Sequence, residues 1–317
     1  MANPINLSAN RSVKVFPPGT VANLVCGFDV LGLCLNDPCD DMDMTIISEK
    51  KIIIRSADGY NLPSDPMLNT AGAPLVEMLQ EIDAEVGFEI TITKHIKPGS
   101  GIGSSAASAA GAVVGANALL GNIFTKDQLV RFAMSGEKVA SGVKHADNVA
   151  PCIFGGVTLI RSIFPLDIIP IEAPDLWVTV VHPQIEVRTS DARQILRKEV
   201  LLKDAIKQWG NIGGLVAGLI KKDYALIGRS LEDVIIEPVR SILIPGFNDI
   251  KINSKAVGAL GGGISGSGPS IFMLSTDEAT AQAVKHEMHA VYNAIGLEHY
   301  VYVTTINNGG VRVEARA

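Results

Sequence analysis

The segment that most constrains this chain is rich in glycine and serine and reads KPGSGIGSSAAS, at 97–108. An alternating apolar and polar run at 87–94 precedes it and predicts a strand, and small apolar residues at 109–120 predict a buried helix. Glycines let a backbone approach a ligand closely, and the first N–H groups of a helix carry partial positive charge. A strand, a glycine loop and a helix in this order predict a phosphate site.

This segment differs from the commonest phosphate-binding loop, because no GxxxxGK[ST] pattern occurs in the sequence. The structural alternative is a tight turn whose small residues only permit close helix packing. A single loop of this kind favours a phosphate site over a structural turn but does not decide between them.

Composition and charge exclude several classes of protein. The net charge is −6 with no basic cluster, which argues against binding to nucleic acid or to an anionic membrane surface. No apolar run reaches the roughly 20 residues of a membrane span, and residues 1–10 lack the apolar core of a secretory signal. Four cysteines without a CxxC pair predict reduced thiols and a cytoplasmic location.

At 317 residues the chain is long enough for two domains, and we place them at 1–168 and 169–317. The patterns predict a strand over Ser12–Phe16, a hairpin of runs 43–48 and 51–56, and a helix from 126 to 135 capped by Thr125. A proline-rich segment at 165–174 is expected to cross between the domains.

Two further glycine-containing segments strengthen the functional interpretation. The first, at 17–32, reads PPGTVANLVCGFDVLG, and the last, at 260–270, reads LGGGISGSGPS. The last follows a predicted helix and enters a predicted strand, so we expect its backbone to approach a ligand from the opposite side. Three such segments make coincidence a poor explanation.

In this order the segments resemble the three signatures of the GHMP kinases, which phosphorylate small molecules. The middle one is similar to the family pattern PxxxGLGSSAA, with Ile102 in place of leucine. The runs GEKVASGVKHADNVAP at 136–151, TSDAR at 189–193 and EPVR at 237–240 resemble the branch that acts on homoserine. The resemblance implies an α+β fold with an N-terminal domain like ribosomal protein S5 domain 2 and a C-terminal ferredoxin-like α/β sandwich domain.

The resemblance also implies ATP as co-substrate and Mg²⁺ as cofactor. The nucleotide-binding residues would be Asn69, Pro98, Gly99, Ser100, Gly101, Ile102, Gly103, Ser104, Ser105, Ala106, Ala107 and Ser108. The magnesium ligands would come from Ser104, Ser105 and Glu137, since Mg²⁺ prefers a few oxygen ligands and keeps several waters.

The implied second substrate is L-homoserine, an amino acid with a γ-hydroxyl. Its binding residues would be Asn23, Asp29, His145, Thr189, Arg193 and Arg240. Arginine forks suit its carboxylate, and Asp29 suits its ammonium. The catalytic residues would be Asn23, Arg240 and Asp147, with Asp147 as a candidate general base. The alternative is that a phosphate oxygen accepts the alcohol proton.

Other interpretations stay open at this point. One is a related kinase with a different alcohol, such as mevalonate, and another is a non-catalytic sensor with the same fold. The first segment also departs from the homoserine branch at Val25-Cys26, which puts the local loop conformation in question. A homodimer is compatible with the resemblance, but no residue pattern requires it.

Overall fold

The computed structural model describes residues 11–316 except 58, 59, 61, 83, 84 and 188. Among the described residues, no helix combines the length and apolar character needed to cross a bilayer. The strands are β1 Ser12–Phe16, β2 Pro18–Ala22, β3 Leu31–Cys39, β4 Asp41–Ile47, β5 Ile52–Ser56, β6 Gly87–Thr93, β7 Val157–Ile163, β8 Leu166–Ile171, β9 Trp177–Pro183, β10 Gly261–Ile264, β11 Ile271–Ser275, β12 His299–Thr305 and β13 Arg312–Ala315. The helices are α1 Gly72–Ile82, α2 Ser104–Leu119, α3 Lys126–Ser141, α4 Val149–Phe154, α5 Thr189–Gln194, α6 Leu202–Lys221, α7 Tyr224–Ser230, α8 Glu237–Arg240, α9 Phe247–Ala256 and α10 Glu278–Ala294.

The first sheet has the order β13-β1-β4-β6-β5 and forms one wall of a core closed by α1, α2 and α3. Helix α2 contains mostly small residues because it lies directly against this sheet. A side chain on Gly111 would meet Pro17, and one on Gly115 would meet Met44 and Val15. The small run that predicted a buried helix therefore lets α2, and the loop before it, lie close to the sheet.

The hairpin expected from runs 43–48 and 51–56 is wrong. Both runs form strands, but β6 lies between them in the sheet. Strand β4 pairs with β6 in the antiparallel sense, and β5 pairs with β6 in the parallel sense. Alternation of apolar and polar residues identifies a strand but does not identify its partner.

The second sheet, β2-β3-β7-β8, contributes to a core that it shares with the C-terminal half of the chain. Within the segment at 165–174 that was expected to cross between the domains, Leu166–Ile171 forms strand β8, which pairs with β7. Residue 168 lies inside that paired strand, so we propose that the two domains divide between Ile171 and Trp177. The C-terminal β13 pairs with β1 in the first sheet, so the end of the chain packs with the N-terminal half.

The third sheet has the order β10-β11-β9-β12, with antiparallel neighbours throughout. Helices α9 and α10 cover one face, around Met288 and Tyr292. The other face shares a core with α6, α7 and the second sheet, which includes Leu33 and Leu215. This shared core fixes the two halves against each other and so positions the segments that meet in the cleft.

Candidate active site

A cleft of about 340 Å³ opens at the N-terminal end of α2. All three glycine-containing segments contribute to its walls, together with α3 and the residues before α4. The predicted site residues that line it are Asn23, Asp29, Pro98, Gly99, Gly101, Gly103, Ser104, Ser105, Ser108, Glu137, His145, Asp147, Arg193 and Arg240.

The backbone of the loop before α2 lines this cleft. Gly99, Gly101 and Gly103 have φ of 77°, 81° and 68°, a region that glycine adopts without steric cost. Gly103 is the N-cap of α2 and provides no side-chain capping bond, so the N–H groups of the first turn stay available for an anion. The geometry is that of a phosphate-binding loop.

The last glycine segment holds this loop in place. The Ser265 and Ser270 hydroxyls donate to the carbonyl oxygens of Gly101 and Ser100, both at 2.7 Å. A Cβ on Gly101 would lie 2.5 Å from the Gly268 carbonyl oxygen. Gly266 and Ser267 also line the cleft, so the segment both faces the ligand space and supports the loop.

Two buried carboxyl groups, Glu137 and Asp147, line the cleft. Burial raises the pKa of Glu137 to about 7, against a hydrogen bond from Ser105 that lowers it. Burial, with the nearby carboxylates of Asp29 and Glu137, raises the pKa of Asp147 to about 7. The Glu137 Oε1 atom has no hydrogen-bond partner among the described residues. A buried carboxylate oxygen without a partner suits a cation.

These residues fit a magnesium ion. Among the described residues, no group of three or more histidine, cysteine or acidic side chains forms a metal cluster, and Mg²⁺ bound with substrate phosphates needs only one or two carboxylates. The Ser104 hydroxyl donates to the Ile96 carbonyl oxygen at 2.7 Å. Because Ser105 hydrogen-bonds to Glu137 instead, Ser105 is the better candidate for a second ligand.

Opposite charges from distant parts of the chain meet at Asp29 and Arg193. The Arg193 Nη2 atom donates to both Asp29 oxygens, at 2.9 and 3.1 Å, and lies 3.3 Å from the His145 ring nitrogens. Burial and the Arg193 charge lower the pKa of His145. A neutral imidazole beside an ion pair can donate or accept a hydrogen bond without adding charge.

Arg240 lies deeper in the wall and is only 3% exposed. Its Nε atom donates to the Ala192 carbonyl oxygen at 2.9 Å, and its Nη1 atom donates to Gly266 at 3.3 Å. The guanidinium lies over the Phe28 ring, 4.9 Å from its centroid. Burial, and then the Arg193 charge, lower the pKa of Arg240 to about 10, which leaves it positively charged at neutral pH.

The first glycine segment is strained where it enters the cleft. Asn23, Leu24, Val25 and Asp29 have φ of 75°, 40°, 66° and 60°, a region that non-glycine residues rarely adopt. The Asn23 side chain donates to the Gly266 carbonyl oxygen at 2.8 Å and accepts from the Asp29 N–H at 3.0 Å. Strain of this kind persists only where the surroundings fix it and is common at active sites.

Some predicted residues lie outside the cleft wall. The Asn69 side chain accepts from the N–H groups of Ala71 and Gly72, so it caps the start of α1. The other predicted residues that do not line the cleft are Ser100, Ile102, Ala106 and Ala107. Thr189 begins α5, but its side chain lies outside the described residues. The roles proposed for these residues stay predictions.

Several side chains that line the cleft were not among the predicted site residues, including Phe28, Lys94 and Asn148. Lys94 is paired with Asp40, and its Nζ atom donates to the Ser104 carbonyl oxygen at 2.9 Å. Because Lys94 ends the predicted strand just before the glycine loop, its position in the sequence could have identified it as a residue near the cleft. Asn148 accepts from the Thr20 hydroxyl at 2.8 Å, a contact between segments that no local pattern reveals.

Comparisons with known proteins agree with this geometry. Residues 69–156 match the GHMP kinases N terminal domain, and residues 215–294 match the GHMP kinases C terminal domain. The homoserine kinase of Chloroherpeton thalassium is 45% identical, over 96% of this chain and 99% of that one. The homoserine kinase of Chlorobium phaeovibrioides is 46% identical at the same coverage.

Solved structures give the same result. The crystal structure of homoserine kinase from Cytophaga hutchinsonii superimposes with a TM-score of 0.92 and is 46% identical, covering 99% of both chains. The L. major mevalonate kinase has a TM-score of 0.70 at 17% identity and is similar in fold alone. This chain belongs to the GHMP kinase family and, within it, to the homoserine kinases. The expected two-domain α+β fold is confirmed.

Proposed function

We propose that this chain transfers the γ-phosphoryl group of ATP to the side-chain hydroxyl of L-homoserine, giving O-phospho-L-homoserine in threonine biosynthesis. The observation that carries the proposal is the pairing of Asp29 with Arg193, beside Arg240, in the same cleft as the glycine loop. A zwitterion needs both signs of charge in one subsite. Mevalonate lacks the amino group and would leave Asp29 without a partner in the substrate.

Phosphoryl transfer depends on positioning and on neutralising charge more than on covalent help. The backbone N–H groups around Gly99–Gly103 and of the first turn of α2 hold the phosphates. Glu137 and Ser105 would hold Mg²⁺, which when bound neutralises charge on the phosphate oxygens. The walls of the cleft limit access of water and so limit wasteful hydrolysis.

At the amino-acid end, Arg193 and Arg240 bind the carboxylate and Asp29 binds the ammonium. The Asn23 amide donates one hydrogen to the Gly266 carbonyl oxygen and accepts with one lone pair from the Asp29 N–H, which leaves another of each for the substrate. Asp147 accepts the alcohol proton, because a pKa of about 7 leaves it a competent base at neutral pH. We place the reaction in the cytoplasm, and we propose a homodimer by analogy with other family members.

An ADP-coupled assay with L-homoserine, L-serine and mevalonate tests the proposal. We expect turnover with L-homoserine and little with the other two. Equal turnover with mevalonate would favour a different alcohol substrate. Binding of ATP and homoserine without any turnover would favour the non-catalytic sensor.

A further inference from the structure

Gln208 lies on α6, outside the cleft, and its side chain is buried within a hydrogen-bond network. Its amide nitrogen donates to the Cys26 carbonyl oxygen at 2.8 Å and to Asp233 Oδ1 at 3.0 Å. Its amide oxygen accepts from the Val234 N–H at 3.1 Å. Only 5% of the residue is exposed. A buried amide with both hydrogens in use connects its partners specifically, because losing one leaves a buried group unsatisfied.

One partner of Gln208 belongs to the strained loop of the first glycine segment. Cys26 directly follows Asn23, Leu24 and Val25, whose φ values are all positive. Such conformations cost free energy for non-glycine residues and persist only where other contacts fix them. The Gln208 bond to the Cys26 carbonyl oxygen is one of those contacts, and neither residue lines the cleft.

The other partner, Asp233, stabilises the turn that precedes Arg240 in the chain. Its Oδ1 atom accepts from the N–H groups of Ile235 and Ile236, at 2.8 and 3.0 Å. Its Oδ2 atom accepts from the Glu237 N–H at 2.9 Å. Asp233 therefore holds the turn that leads into α8, whose last residue is Arg240, and its charge lies close enough to raise the pKa of that guanidinium.

Gln208 thus joins the loop that carries Asn23 and Asp29 to the turn that carries Arg240. The same two segments also meet within the cleft, where Asn23 and Arg240 both donate to the Gly266 carbonyl oxygen. The two segments are therefore connected both at the cleft and through residues that do not line it, and these connections define the spacing between the groups that face the amino-acid substrate. The described hydrogen bonds of Gln208 go to Cys26, Asp233 and Val234, and none of these residues belongs to the glycine loop at 97–103 that is proposed to bind the nucleotide.

We propose that Gln208, through Cys26 and Asp233, is a positioning residue for the amino-acid subsite and not for the nucleotide subsite. The inference rests on the proposed function, since it assigns Gln208 to the binding of homoserine. Small displacements of binding groups lower affinity and rate steeply. Because Gln208 supports only the groups of the amino-acid subsite, its loss should impair the binding of homoserine and leave the binding of ATP unchanged.

The test is Gln208→Met, which keeps the length of the side chain and removes its hydrogen bonds. We expect the KM for homoserine to rise about tenfold, as when one buried polar group loses its partner, and the KM for ATP to stay within about twofold. The control is Asn211→Leu. Asn211 also connects α6 to this segment, through the Glu232 carbonyl oxygen. Among the described residues it forms no hydrogen bond with Cys26 or Asp233, so both KM values should stay unchanged.

Asp233→Asn provides a second variant if Gln208→Met does not fold. Asparagine keeps the shape of the side chain but places an NH2 group where Oδ2 accepts from the Glu237 N–H, so that hydrogen bond is lost. We expect the same selective rise in the homoserine KM. The double variant should raise it by less than the product of the single effects, because the two residues share one network. A folded variant with the wild-type homoserine KM, or with both KM values raised equally, overturns the inference. No homoserine turnover by the wild type would instead overturn the proposed function.

Discussion

The Arg193 guanidinium donates to both oxygens of the Asp29 carboxylate, at 2.9 and 3.1 Å. The two side chains are 32% and 36% exposed, so the pair is weak enough for a ligand to open it. A zwitterion offers a carboxylate to Arg193 and an ammonium to Asp29. The ion pair of the free protein therefore corresponds to the two charges of the proposed substrate.

Asp29→Asn should weaken homoserine binding without affecting ATP. The amide keeps the shape of the side chain and loses its charge, so the homoserine KM should rise about tenfold or more. This factor corresponds to the free energy contributed by one hydrogen bond to a charged group. Steady-state assays varying each substrate in turn measure this. Asp167→Asn is the control, because Asp167 pairs with Arg161 on an exposed hairpin. An unchanged homoserine KM in Asp29→Asn would count against the charge-pair model.

The dependence of rate on pH tests Asp147. A general base must be ionised, so kcat/KM should rise with pH through about 7, where burial places the pKa of Asp147. Asp147→Asn should lower kcat and remove this inflection. Saturating magnesium is needed, because protonation of Glu137 would also weaken cation binding. Retention of both kcat and the inflection in Asp147→Asn would indicate that a phosphate oxygen accepts the proton.

Glu137→Gln should stabilise the metal-free protein at high pH. Burial raises the pKa of Glu137 from 4.5 to about 7, so between these values the folded chain keeps a proton that the unfolded chain has lost. Stability therefore falls as pH rises across this window, and above it the full cost is about 3 kcal/mol. The amide removes that cost.

Thermal unfolding of the wild type and Glu137→Gln at pH 5 and pH 8 measures this effect. We expect similar Tm values at pH 5 and a higher Tm for the variant at pH 8. Addition of Mg²⁺ with a non-hydrolysable ATP analogue should raise the Tm of the wild type more than that of the variant. Equal responses of both proteins to Mg²⁺ would remove Glu137 from the metal site.

Gly101→Ala should disrupt the phosphate loop. Its φ is 81°, and the added Cβ would lie 2.5 Å from the Gly268 carbonyl oxygen, so the loop must move. We expect the KM for ATP to rise at least about tenfold. Gly121→Ala is the matched control, since Gly121 has φ of 90° and nothing within 4 Å of the added atom. An ATP KM equal to that of the control would show that the loop tolerates displacement.

Local signals in the sequence predicted local structure well. Strand Ser12–Phe16 has the predicted bounds, and Thr125 caps α3 with the capping box completed by Gln128. The helix itself continues to Ser141, beyond the predicted end at 135, because tertiary packing of its apolar face extends it. Alternation of apolar and polar residues and helix capping both depend on residues that are close in the chain, which is why the sequence predicts their effects.

Long-range relationships were not readable in the same way. The parallel pairing of β5 with β6 depends on contacts far apart in the chain, and no alternation pattern encodes it. The same holds for the site, where resemblance to a family named Asp29 and Arg193, but only the fold shows that they form a pair. The network of Gln208 with Cys26 and Asp233 joins three distant segments and carries no motif.

A crystal structure of the protein with L-homoserine and a non-hydrolysable ATP analogue tests the account most directly. We expect the triphosphate on the backbone N–H groups of Gly99–Gly103, with the amino-acid carboxylate at Arg193 and Arg240 and its hydroxyl facing the terminal phosphate. A nucleotide bound away from that loop, or an amino acid bound away from both arginines, would contradict it.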